Sequence, residues 1–92
     1  MPPREVPRPF KMHWDSGQIV EEASFEGEHT APAIQLMRFD DDSLTIRFCH
    51  FNHRGNFQRS PMMLSEEEVG AMRAAVAQTP ELKRFLQRIA GD

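Results

Sequence analysis

Cys49, His50 and His53 fall within five consecutive residues, and thiol and imidazole are the groups that hold zinc or build a thiolate nucleophile. A structural zinc site takes four ligands, usually in two pairs, and the chain has a single cysteine. Neighbouring residues of a strand point to opposite faces, so Cys49 and His50 cannot serve one ion or one substrate from an extended segment. No glycine-rich anion cradle adjoins them. The expected identities are a buried cysteine and a turn histidine. Asp40, Asp41 and Asp42 lack the spaced oxygens and closing glutamate of a calcium loop and suit a hairpin turn. Glu66, Glu67 and Glu68 follow Ser65 as the first turn of a capped helix. No P-loop, dinucleotide fingerprint or esterase elbow is present. The expectation is a non-catalytic protein with no metal and no cofactor.

The elements that would position these residues are read from pattern. Four of the first nine residues are proline, so residues 1–12 read as a disordered or extended arm before a single domain at 13–92. Gln18 to Phe25 is a strand whose alternation is imperfect. Ala33 to Phe39 and Leu44 to Phe51 form a hairpin across the aspartate turn. Asn52 to Gly55 is a second turn, with Gly55 suited to positive φ, and Asn56 to Ser60 returns as the next strand. Ser65 with Glu68 makes a capping box, after which Val69, Met72 and Val76 recur on one helical face. Thr79-Pro80 restarts a helix whose apolar stripe is Leu82, Phe85, Leu86 and Ile89, ended by Gly91. Strands precede helices, which predicts an α+β fold: an antiparallel meander of about four strands packed on C-terminal helices.

If Phe39 pairs with Leu44 and Phe51 with Asn56, alternation assigns the faces. Met37, Phe39, Leu44, Ile46, Phe48 and Phe57 form a core face for the helices to cover. The outer face gathers Arg38, Arg47, Asn56 and Gln58 with Ile34, Leu36, Cys49 and Phe51. Interleaved cations, amides and an aromatic make a platform for single-stranded nucleic acid. Arg38, Arg47, Arg54 and Arg59 would meet phosphates, Phe51 would stack on a base, and Asn56 and Gln58 would bond polar groups. The competing arrangement is a second, partly buried face, covered by the strand at 18–25 or by another subunit, with Arg38 and Arg47 paired to Glu21, Glu22 or Glu26. Trp14 is expected to fold onto the sheet and complete a core short of large residues.

Charge narrows the classes further. The 92 residues hold 11 basic and 14 acidic side chains, net −3, which argues against coating duplex DNA through bulk positive charge. The cationic bias is confined to residues 30–62, where four arginines face three clustered aspartates. No apolar run approaches the roughly 18 residues of a membrane span, so a cytoplasmic protein without a membrane partner is expected. A chain of this size buries only about two-thirds of its unfolded surface, which makes a homodimer the expected state.

Leu44 to Phe51 (LTIRFCHF), Asn52 to Gly55 (NHRG) and Leu64 to Met72 (LSEEEVGAM) occur in an order and spacing that resembles the positive cofactor four family of transcriptional coactivators, over about residues 34–89. The chain departs from that pattern in its short QRSPMM segment, its lack of a tryptophan after the glutamates and its acidic balance. The resemblance implies an antiparallel sheet dimerising through a C-terminal helix. It also implies single-stranded DNA or RNA binding on the outer sheet surface, in a setting of transcription or genome maintenance. By position, Arg47 matches the family's arginine, and Arg54, Gln58 and Arg59 fall where its basic turn and strand residues bind. The function expected is a non-catalytic single-stranded nucleic-acid-binding, transcription-associated module. The alternative is a protein–protein interaction module, with the mixed face or the Trp14 region docking a protein partner.

Overall fold

A computed structural model describes residues 5–57 and 61–91. Five strands precede two helices: β1 (Arg8–Lys11), β2 (Ser16–Ser24), β3 (Ala31–Phe39), β4 (Leu44–Phe51), β5 (Met62–Ser65), α1 (Glu66–Val76) and α2 (Pro80–Ala90). The strands pair antiparallel in chain order, a meander with α+β layout. The count is five rather than about four because Arg8–Lys11, read from its prolines as arm, pairs with β2. Pro9 is tolerated there because β1 is an edge strand, where a missing N–H need not break the ladder. The last strand also differs from expectation. Of Asn56–Ser60, Phe57 makes one bridge to Phe51, and continuous pairing with β4 is made instead by Met62–Ser65. Gln58, Arg59 and Ser60 lie outside the described residues.

Two turns of the same construction set the register. In the first, the Asp42 amide donates to the Phe39 carbonyl, the Phe39 amide donates to the Ser43 carbonyl, and Asp42 has φ 70°. In the second, Gly55 donates to Asn52, Asn52 donates to Asn56, and Gly55 has φ 85°. Each is a three-residue loop whose last residue is left-handed, a conformation open to glycine and tolerated by aspartate. Asp41 stiffens the first by accepting from the Ser43 amide and hydroxyl, bonds that hold its carboxyl below the ordinary range. Asn52 stiffens the second by accepting from the Arg54 and Asn56 amides.

An odd loop moves both pairings by one residue from those expected. Arg38, not Phe39, stands opposite Leu44, and Phe57, not Asn56, stands opposite Phe51. Since side chains alternate with a period of two, each one-residue shift exchanges faces. Met37, Phe39 and Phe57 therefore leave the expected core face, whereas Leu44, Ile46 and Phe48 keep it, joined by Ile34, Leu36 and Arg38. This second group is the helix-side face: α1 reaches it through Val69, and α2 through Ile89.

The deepest burial lies on the opposite face, at Ala31, Ala33, Met37, Phe39, Cys49 and Phe51. Gly17 is central to it. It stands between Phe10 and Phe39 in the cross-strand row, and the two rings meet edge to face over it at 5.2 Å. Side chains of this face cover one another there, Phe10 on Phe39 and Phe57 on Phe51.

The helices form as their caps dictate. Ser65 accepts from the Glu68 amide while the Glu68 carboxylate accepts from the Ser65 amide, a complete capping box. Pro80 opens α2 and Gly91, at φ 80°, ends it. Neither helix contains a buried residue. The expectation that their stripes cover the sheet is met only at its margin: Val69 and Met72 of α1 and the whole stripe of α2 remain 40–65% exposed. Trp14 likewise does not fold onto the sheet. It sits in the tight turn between β1 and β2, closed by the Met12 amide on the Asp15 carbonyl, and is 74% exposed. No helix among the described residues is long and apolar enough to cross a membrane.

Candidate nucleic-acid interface

A row of polar side chains crosses the face opposite the helices. Glu22, Gln35 and Arg47 are directly opposed on β2, β3 and β4, and Arg8 of β1 reaches the same carboxylate. Arg8 binds Glu22 through both terminal nitrogens, at 3.0 and 2.8 Å. Gln35 Nε2 donates to Glu22 Oε2 at 2.6 Å, and Arg47 Nε donates to Gln35 Oε1 at 2.6 Å. The Gln35 amide has one orientation that serves both neighbours, its NH₂ on the carboxylate and its oxygen on the guanidinium. Gln35 is fully buried, and among the described residues no buried side-chain polar atom lacks a partner.

A β-bulge between Ile19 and Glu21 brings the carboxylate into this row. Gly17 and Ile19 point to this face, and strict alternation would continue with Glu21. The irregularity advances the phase by one and turns Glu22 inward instead. The imperfect alternation of Gln18 to Phe25 was the sequence trace of this bulge.

Beyond Arg47 the row ends on an aromatic. Its guanidinium lies over the Phe57 ring, 4.8 Å from the centroid, and Phe57 in turn contacts Phe51 at 5.5 Å between centroids. Burial lowers the Arg47 guanidinium from its usual value, opposed by the neighbouring Cys49, and leaves it a cation. Phe57 is 43% exposed, whereas Phe51 is 5% exposed. The aromatic surface offered to a ligand is therefore that of Phe57, and Phe51 serves as its support.

The expected platform is thus divided. Arg47, Phe51 and the turn carrying Arg54 and Asn56 are brought together; Arg54 and Asn56 are exposed, two and four residues past the Asn52 that organises their amides. Arg38 is separated from them by the register and stands exposed on the helix-side face, opposite Gln18 and Leu44. Gln58 and Arg59 lie outside the described residues. Arg8, Glu22, Gln35 and Phe57 were not in the expected set. The competing arrangement paired Arg38 and Arg47 with Glu21, Glu22 or Glu26; the structure instead gives Glu22 to Arg8, joins Arg47 to Glu22 only through Gln35, and leaves Arg38 on the other face.

Next to this turn, two loops are joined. His53 Nδ1 contacts Glu26 Oε1 at 2.5 Å and His53 Nε2 contacts the Glu28 carbonyl at 3.1 Å, linking the β4–β5 connection to the β2–β3 loop. The hydrogen bond to Glu26, then that to Glu28, raises the His53 pKa; the same bond lowers that of Glu26. A raised histidine contributes fully below its unfolded value near 6.5 and loses that contribution as pH rises through the folded value. A lowered glutamate contributes fully above about 4.5 and loses it as pH falls through its folded value. The link is therefore strongest between about pH 4.5 and 6.5. Amide protection factors of residues 26–30 and 52–56, which discount the base-catalysed rise of exchange with pH, are expected to fall above the His53 titration followed by NMR, and in His53→Ala to be low at both pH values. Protection in the wild type that ignores the imidazole titration would show that the link holds nothing in place.

Cys49 is buried and His50 exposed on opposite faces of β4, and no group of three or more potential metal ligands is found among the described residues. No family model, no curated protein and no solved structure matches the chain.

Proposed function

We propose that this chain is a non-catalytic single-stranded nucleic-acid-binding module, acting in a transcription-associated setting of the kind the positive cofactor four resemblance implies. The observation that carries the reading is the half-exposed Phe57 ring beneath the Arg47 guanidinium, beside a turn that presents Arg54 and Asn56. A base can stack on an aromatic face while cations beside it meet the phosphates, a mode that tolerates any sequence. The acidic balance of the whole chain limits this to a local contact of few phosphates and disfavours duplex DNA.

Fluorescence anisotropy of labelled oligothymidine and of a duplex, each at two salt concentrations, tests it. Single strands should bind with micromolar or tighter affinity that weakens with salt, and the duplex should bind less. Phe57→Ala should cut affinity about tenfold, the order of one lost base stack. Arg54→Gln should lessen the log–log salt slope by about 0.7. Flat curves at low salt would overturn the reading. They would favour the second one, a protein-interaction module, for which the uncovered apolar stripe of α2 speaks.

A further inference from the structure

We propose that α2 is an interfacial helix that lays the helix-side face of this protein on an anionic lipid bilayer. No described helix is long enough to cross a bilayer, but lying in its headgroup region asks only for one apolar and one basic face. The absence of a span therefore leaves a surface partner open.

α2 has both faces. Successive residues of a helix turn by about 100°, which gathers Leu82, Phe85, Leu86 and Ile89 into an arc of about 100°. This stripe is 40–65% exposed, and no residue of the helix is buried. The rest of the surface carries Lys83, Arg84 and Arg88 against Glu81, three bases and one acid for a net of +2.

The placement of the cations selects a bilayer as the occupant. Lys83 and Arg88 stand on the two flanks of the stripe, each about 60° beyond its outermost residue. A plane of lipid phosphates meets both flanks at once while the stripe between them enters the acyl boundary. Arg88 already has the required posture: its guanidinium carbon lies 4.9 Å from the centroid of the Phe85 ring. Its stem covers apolar surface while its charge stays at headgroup level.

The surface beside α2 continues the apolar face. A groove of about 500 Å³ runs between the helix and the sheet, lined among others by Phe25, Ile34, Phe48 and Ile89. Phe25 is 66% exposed. The acids of α1 stand away from this region: Glu66 and Glu67 adjoin Ser43 and Leu44, at the other end of the sheet. Glu26, next to Phe25, is bound to His53. The face bearing Arg47 and Phe57 is on the opposite side of the sheet, so the proposal does not depend on nucleic-acid binding.

Co-sedimentation of the full chain with vesicles tests it, comparing pure phosphatidylcholine with a mixture rich in phosphatidylglycerol. The anionic vesicles should bind about thirtyfold more tightly, the effect of two net charges at such a surface. High salt should remove the difference. Lys83→Gln with Arg84→Gln cancels the net charge of the helix and should abolish the preference, with oligothymidine binding left as in the wild type. Phe85→Ser with Ile89→Ser should weaken binding to both vesicles at least tenfold. If that variant does not fold, the wild type in anionic bicelles carrying a spin-labelled lipid decides the matter. The Phe85 and Ile89 signals should broaden and those of Phe57 should not. No binding to anionic vesicles at about 1 mM lipid would overturn the proposal. Equal binding to both vesicles would also overturn it, as would loss of oligothymidine binding in the charge variant. Broadening that spares Phe85, because a protein chain or a second copy covers the stripe, would do the same.

Discussion

Gln35→Leu should lower unfolding stability by about 3 kcal/mol, among the largest effects of any near-isosteric substitution in the sheet. Gln35 is fully buried and makes two hydrogen bonds to charged groups, donating to Glu22 and accepting from Arg47. A leucine fills the space but serves neither. Glu22 keeps Arg8 as a partner, so its loss is partial. Arg47 loses the acceptor of its Nε in a half-buried position, where an unmet donor costs most of its desolvation. Gln35→Glu distinguishes this account from simple packing. It retains an acceptor for Arg47 but sets a second carboxylate against Glu22, so its stability should improve relative to wild type as pH falls and that pair takes up a proton. Urea unfolding at several pH values reads both variants. A leucine variant within 0.5 kcal/mol of wild type would mean that the row is surface decoration.

Gly17→Ala should be comparably damaging, at about 2–3 kcal/mol, for a different reason. A Cβ on Gly17 would stand 2.1 Å from the Arg38 carbonyl oxygen and 2.7 Å from the Phe39 Cα. Both are backbone atoms of the paired strand and cannot swing aside, so β2 and β3 must separate where the Phe10 and Phe39 rings meet. Gly70→Ala is the control. Its Cβ meets nothing within 4 Å, and alanine inside α1 should stabilise by about 0.5–1 kcal/mol through helix propensity. Thermal and urea unfolding of the two variants should shift in opposite directions. If Gly17→Ala unfolds with the wild type, the strands are not held at the spacing described.

The local order of this protein was legible because each element carries its own signal. β4 has the expected limits, β3 begins two residues earlier than expected, and Ser65 caps α1 through the box its sequence announces. Gly55 adopts the positive φ its type allows. These outcomes depend on neighbours a few residues away, where propensity and capping act.

The faces were not legible, because they depend on the parity of two loops. Asp42 taking a left-handed conformation makes the first loop odd, and an even loop of the same residues would be equally polar. A type I turn closed by a left-handed residue was the available signal, at Asp42 and at Gly55 alike. The bulge in β2 is a third change of phase, and it decides whether Glu21 or Glu22 enters the row. Each shift moves every following side chain across the sheet. That is why Phe57 rather than Phe51 offers its ring, and why Arg38 and Arg47 part company.

By itself the sequence determined the strands-then-helices order, the turn positions, the caps and the amphipathic stripe of α2, all products of short-range chemistry. Tertiary structure alone decided the polar row, the pairing of Arg8 with Glu22, the stacking of Arg47 on Phe57, and the exposure of Trp14 and α2. These join residues up to 14 apart in sequence or concern what packs on a face. Cross-strand contact follows register, and register is set by turn and bulge geometry that composition does not encode.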